Sequence, residues 1–225
     1  KIYSKNNLML KNFSIIITNT SRALAYINIL EQNNIYPKQV IYLDNSKKTK
    51  ISKKLKKKIY SLKIKPKIFK TKEITRKVSI YLLKSRIKNI IYSGYPGIIV
   101  RNTKVLKQKN LIHCHPGKLP KFRGSTTIYY SLLKEKKIFC STLILSKGID
   151  QGKILLIKKY SRPKNILTID KKYDDFIRSK NLLYVLQNFE KLKPMNQKTN
   201  DIIPYYVMHP VLRSIAFKKL NLTLI

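Results

Sequence analysis

Strand-length apolar runs that alternate with helix-period segments are the feature that most limits the folds open to this chain. FSIIIT (13–18), QVIYLD (39–44), NIIYS (89–93) and NLIHC (110–114) are short, continuous and rich in isoleucine and other apolar residues, the pattern of strands buried on both faces. Ser21–Gln32 has helical periodicity between the first two. Pro66 and Lys67 precede a short strand at Ile68–Lys70, and Thr71 is placed to cap a helix reaching Ile87, with Glu73 in its first turn. Further on, Ser125–Lys134 reads as a helix, and Phe139–Leu145 and Lys153–Lys159 read as strands around a turn at Gly148–Gly152. Phe176, Ile177, Leu182, Leu183, Leu186 and Phe189 give Asp174–Lys191 an amphipathic helical pattern. The alternation predicts an α/β fold, a Rossmann-like, mostly parallel sheet flanked by helices. The expected organisation is one such domain over residues 1–192, with a short C-terminal helical extension over 193–225.

Composition narrows the class further. With 225 residues, of which 43% are hydrophobic, the chain can bury a real core, and 6 Gly and 9 Pro exclude collagen-like and low-complexity sequences. Two cysteines, Cys114 and Cys140, allow at most one bridge, which argues against a disulfide-built secreted scaffold. No apolar run reaches the roughly 18 residues of a membrane span, and KIYSKNNLMLKNFSIIIT lacks the pattern of a secretory leader. A cytoplasmic location and no membrane span are the expectations.

The charge is extreme: 49 Lys+Arg face 10 Asp+Glu, for a net +39. Such a field attracts polyanions. Yet 41 of the 49 are Lys and 8 are Arg, and the abundance of Lys, Ile, Asn and Tyr matches A/T-rich coding. Surfaces dedicated to nucleic acid favour the planar fork of Arg, so nucleic acid is admitted as a partner but not favoured. The basic character peaks at residues 45–72, which hold 13 Lys and no acid. Ile51, Leu55, Ile59 and Leu62 fall there at helical spacing. An apolar stripe under lysines fits an RNA- or membrane-surface helix, and it fits better a sheet-covering helix with a solvated outer face, since the α/β pattern needs a helix at this point.

Chemistry concentrates in NLIHCHPGKLPKFRG (110–124) and, after 23 intervening residues, Gly148-Ile149-Asp150-Gln151-Gly152. Two histidines spaced by one residue project from the same side of a strand, at the carboxyl end where parallel sheets build their sites. A carboxylate in a Gly-flanked turn then has the chemistry to orient one imidazole.

These residues resemble the folate-dependent formyltransferases, the family of the amino-sugar, glycinamide ribonucleotide and methionyl-tRNA formyltransferases. His115-Pro116, Leu119-Pro120, Arg123-Gly124 and Asp150-Gln151-Gly152 match its motifs in order and spacing, and Ser93–Ile99 resembles its pterin-receiving loop. The resemblance implies transfer of a formyl group from 10-formyltetrahydrofolate to a primary amine on a small-molecule substrate. It implies catalysis by His113, His115 and Asp150, with both histidines donating to the developing oxyanion and Asp150 orienting His115 and assisting proton removal. Tyr95, Gly97, Ile98, Ile99, Gly148 and Ile149 would bind the folate, and Arg123 and Gly124 the substrate. The family carries Asn where this chain has His113. That replacement leaves open a preserved oxyanion contact, a changed reaction or a lost activity. A neutral imidazole near its ordinary pKa of about 6.5 would make the outcome visible in the pH profile.

Alternative readings attach to the same residues. His115 in isolation reads as a structural histidine, Asp150 as a turn former and Arg123 as a loop anchor. His113, Cys114, His115, Cys140 and His209 invite zinc, but no CxxC or HExxH spacing supports a metal. By elimination among acceptors, an amino-sugar nucleotide is the expected substrate. A formyltetrahydrofolate hydrolase, a glycinamide ribonucleotide formyltransferase and a non-enzymatic basic module remain as alternatives.

Overall fold

Strands apolar on both faces require helices above and below the sheet, and that is what the chain builds. The computed structural model describes residues 8–45, 50–62, 64–163, 165, 168–198 and 202–218. Strands β1 (Phe13–Thr18), β2 (Gln39–Leu43), β3 (Lys67–Phe69), β4 (Asn89–Tyr92) and β5 (Asn110–His115) are parallel, and β6 (Ile138–Ile144) and β7 (Ile154–Tyr160) run antiparallel at one edge. The order is β3-β2-β1-β4-β5-β6-β7. Ile16 of β1 lies between Ile41 of β2 and Tyr92 of β4, so the winding reverses between β1 and β4, the switch point where open α/β sheets form their crevice.

The helices are α1 (Ser21–Gln32), α2 (Lys50–Ser61), α3 (Arg76–Lys84), α4 (Thr103–Gln108), α5 (Thr127–Glu135), α6 (Asp174–Gln187) and α7 (Pro210–Lys218). Period-two alternation divides the core. Ile15 and Ile17 pack with Tyr26 and Leu30 of α1, Leu55 and Ile59 of α2, and Leu182 and Leu186 of α6. Ile16 faces the other way, toward Val78 and Leu82 of α3 and Val105 of α4. The lysine-rich segment thus supplies a sheet-covering helix: Leu55, Ile59 and Leu62 are buried. The side chain of Ile51 lies outside the described residues.

Several boundaries differ from expectation for local reasons. Thr71 does not cap α3; its Oγ1 accepts the Glu73 N–H at 3.2 Å and closes a turn of its own, and the helix begins after Thr75. The helix α4 was not expected, because six residues are too few to show a period; Asn102 starts it by accepting the Val105 N–H at 2.9 Å. The Asp174–Lys191 segment divides into α6 and a separate 3-10 turn at Phe189–Lys191.

Candidate active site

The strand β5 ends on His115, and alternation puts His113 and His115 on the same side, with Cys114 opposite in the core cluster. Asp150 reaches them by an indirect path. Register pairs Ile112 with Ile144 and His115 with Ser141, so β6 leaves the sheet level with the first half of β5. The turn 145–153 folds back along β5 to bring Asp150 Oδ2 to 3.3 Å from His115 Nδ1. Gly152 permits the return, since an added Cβ would lie 1.6 Å from the Ile144 carbonyl oxygen. Asp150 itself has a left-handed backbone, φ 51°.

Each group has a defined electrostatic setting. The Gly124 N–H donates to Asp150 Oδ2 at 3.0 Å, and Oδ1 has no hydrogen-bond partner among the described residues. Burial pushes the Asp150 carboxyl up, but His115, His113, the Gly124 N–H and Arg178 outweigh it and hold it below the ordinary value. His115 is 3% exposed, and its Nε2 lies 2.7 Å from the Phe122 carbonyl oxygen and 3.2 Å from Thr127 Oγ1. Both ring nitrogens therefore face internal oxygens.

His113 is half-buried. Burial, reinforced by Arg22 and Arg178 and opposed by Asp150 and the Tyr92 carbonyl, pushes its pKa down to about 3. The ring is neutral near pH 7, and its Nδ1 sits 3.1 Å from the Tyr92 carbonyl oxygen. A carbonyl only accepts, so the single proton of the neutral ring is on Nδ1. Nε2 is left as a lone pair without a partner among the described residues. The expected titration of His113 near 6.5 is thereby removed, and a donor role to an oxyanion does not fit this tautomer.

Comparison with known proteins agrees with the motifs. The family described as Formyl transferase matches residues 11–171. The chain belongs to the formyl transferase family. Over 115 residues it is 30% identical to methionyl-tRNA formyltransferase of Ehrlichia ruminantium (strain Gardel), which covers 50% of this chain and 38% of that protein. The match thus spans well under half of the relative's length. Among solved structures, a sugar N-formyltransferase from Shewanella sp FDAARGOS_354 superposes with a TM-score of 0.63 at 12% identity, covering 94% of this chain and 88% of that one. The N-formyltransferase from Helicobacter canadensis, solved with folinic acid and dTDP-3-aminofucose, gives 0.57 at 17% identity, covering 88% and 71%.

In this member of the formyl transferase family the remaining motif residues are distributed as follows. Arg123 is buried, donates through Nη2 to the Ile202 carbonyl, and leaves Nε and Nη1 without a partner among the described residues. Tyr95 turns toward the β1 and β2 ends, its hydroxyl donating to the Leu43 carbonyl at 3.4 Å and accepting the Asn19 N–H at 3.2 Å. Gly97 has φ 75° and no atom within 4 Å of an added Cβ. Ile98 is half-buried, its N–H donating to the Tyr95 carbonyl at 3.3 Å. Ile99 is 43% exposed on the same loop, and Ile149 is 40% exposed beside Gly148 on the Asp150 turn. Arg22 and Arg178 carried no sequence signal as site residues. Arg22 donates to Ser93 Oγ at 3.3 Å and to the Gly94 carbonyl, and Arg178 donates to the Cys114 carbonyl at 2.6 Å and to Asp174. Two concavities of about 480 and 570 Å³ lie elsewhere, one by Lys11, Arg86 and Lys88, the other between α1 and α6. Among the described residues, the histidine site differs from both concavities in bringing converging titratable groups together with the family motifs. No group of three or more His, Cys, Asp or Glu among the described residues has a metal-binding arrangement.

Proposed function

We propose that this chain transfers a formyl group from 10-formyltetrahydrofolate to a primary amine. The observation that carries the proposal is the contact set at the end of β5: His115 and the Gly124 N–H hold one oxygen of Asp150, beside an uncharged His113. Bound 10-formyltetrahydrofolate supplies the formyl carbon as electrophile. The Tyr95–Ile99 loop and Gly148–Ile149 would hold its ring against Ile99 and Ile149. His113 accepts a hydrogen bond from the acceptor amine at Nε2 and so aims the nitrogen lone pair. Asp150 Oδ1 would take up the proton that the amine loses as its nitrogen bonds to the formyl carbon, and would return it to the folate N10 from which that carbon separates. His115, turned inward, holds Asp150 in place through Nδ1 and is a positioning residue. This division replaces the expected pair of imidazole donors, because neither ring offers a free N–H to substrate in these tautomers and contacts.

For the acceptor, the amine of an aminoacyl-tRNA is favoured over an amino-sugar nucleotide. The relatives aligned at about 30% identity are methionyl-tRNA formyltransferases, and a net +39 suits a polyanionic acceptor. The amino-sugar expectation came by elimination, and likeness to sugar formyltransferases at 12 and 17% identity speaks to fold alone. Incubating the protein with 10-formyltetrahydrofolate and, separately, methionyl-tRNA, an amino-sugar nucleotide, glycinamide ribonucleotide or no acceptor distinguishes the cases. Folate absorbance and product mass should report formyl-methionyl-tRNA. Formylation of the sugar nucleotide alone would reverse the acceptor assignment, formate release without acceptor would make the protein a hydrolase, and absence of all turnover would remove the enzyme proposal.

A further inference from the structure

The chain after Pro194 returns to the α/β body at two places, and both border Asp150. Met195 exchanges two backbone hydrogen bonds of 2.8 Å with Ile154, just beyond the Asp150 turn. Two residues later, Gln197 Nε2 donates to the Asp150 carbonyl oxygen at 3.0 Å and also to that of Gly152. One side-chain amide thus ties together Asp150 and Gly152 in the second half of the turn. Further along, the Tyr205 N–H donates to the Arg123 carbonyl and the Ser125 N–H to the Tyr205 carbonyl, both at 2.8 Å. Arg123 Nη2 donates to the Ile202 carbonyl, and the Met208 N–H to Thr126 Oγ1 at 2.8 Å. Gly124, enclosed by these contacts, is the residue whose N–H reaches the Asp150 carboxylate. It has φ 98°, and a Cβ there would lie 2.3 Å from the Tyr205 carbonyl oxygen, so strap and loop touch backbone to backbone.

We propose that residues 195–198 and 202–208 form a clamp that sets the position of the Asp150 carboxylate, with Gln197 as its positioning residue. The physical need is local. Asp150 holds a left-handed backbone, which Asp adopts more readily than most residues with a Cβ but still at a cost that an outside constraint offsets. The Gln197 amide supplies that constraint from below the turn, and Tyr205 fixes the loop that presents the Gly124 N–H from the other side. The charged and titratable groups acting on Asp150 are His115, His113, Arg178 and Arg123. Contact with His115 and Gly124 opposes burial in setting its proton affinity, so a loosened turn leaves burial less opposed and raises that affinity.

The inference rests on the role proposed for Asp150, and its test has a readout that does not. Gln197→Met and Gln197→Ala remove the donor without adding charge, and Gln197 is half-buried at the surface. In the ligand-free protein, the ¹³C carboxyl titration of Asp150, assigned through Asp150→Asn, should move upward by at least about half a pH unit in both variants. In turnover with methionyl-tRNA and 10-formyltetrahydrofolate, kcat should fall about tenfold with KM values within about twofold, and the acid limb should move with the titration. An unmoved carboxyl titration in a folded variant overturns the clamp, whatever the turnover. Wild-type turnover by Asp150→Asn would instead end the catalytic role of Asp150, and the titration would still judge the clamp.

Discussion

An imidazole differs from an amide at position 113 in having one N–H when neutral, and the Tyr92 carbonyl receives it. Two consequences follow from its low proton affinity. First, no limb of the pH–rate profile between about pH 5 and 8 should come from His113. His113→Asn should keep activity within about tenfold, because an amide offers both an acceptor and a donor, and should leave the limb positions unchanged; His113→Ala should lose about 100-fold. A limb that disappears in the Asn variant would contradict the neutral assignment. Second, the unfolded chain protonates this histidine near 6.5 while the native one refuses the proton down to about 3. The unfolded state therefore binds more protons over that window, and His113 lowers stability as pH falls through it. Chemical denaturation at pH 7, 6 and 5 should show a smaller loss in His113→Asn than in wild type.

At the scale of elements, α2 separates structure from charge on its two faces. Leu55 and Ile59 sit in the main core cluster, while Lys53, Lys54, Lys56 and Lys57 are exposed. Lys58 pairs with Glu31 of α1, and Lys56 and Lys70 both approach the buried Asp44. Leu55→Ala should destabilise by about 2–5 kcal/mol, the cost of a buried leucine cavity, and denaturant titration measures it. Replacing Lys53, Lys54 and Lys57 by Gln should leave stability within about 0.5 kcal/mol and raise KM for the proposed acceptor, methionyl-tRNA, severalfold at unchanged kcat. Unchanged KM would confine the helix to a structural role. The antiparallel pair β6 and β7 has the opposite character: its importance lies in the turn it carries, since that turn delivers Asp150 to β5.

Charge acts on the whole molecule. A net +39 on 225 residues gives a long-range attraction for polyanions that salt screens. Between about 50 and 200 mM salt, KM for the proposed acceptor, methionyl-tRNA, should rise at least tenfold, in keeping with release of several counterions, while KM for the proposed donor, 10-formyltetrahydrofolate, changes far less. Equal, weak salt dependence of both would assign the lysines to coding composition alone. No helix among the described residues is long and apolar enough to cross a membrane.

The order of strands and helices was legible in the sequence because burial of both sheet faces demands continuous apolar runs, and FSIIIT, QVIYL and NIIY are such runs. Ser21–Gln32 was legible as a helix to the residue, since Thr20 caps it and Ala23, Tyr26, Ile27 and Leu30 repeat at helical spacing. That His113, His115 and Asp150 come together was legible because the motif is local: the two histidines share a strand, and Asp150 lies between turn glycines. The α4 helix and the late start of α3 were hidden, because a six-residue helix has no period and a Thr-Glu turn imitates a cap. Which contacts each of these side chains makes could only be decided in three dimensions. The His113 proton is placed by a carbonyl 21 residues away in sequence, and the inward orientation of His115 by Phe122, seven residues on. Gln197 meets the Asp150 carbonyl across 47 residues. Hydrophobic periodicity is a one-dimensional consequence of burial and is written along the chain, whereas tautomer, proton affinity and side-chain clamping depend on which distant backbone groups folding brings within about 3 Å.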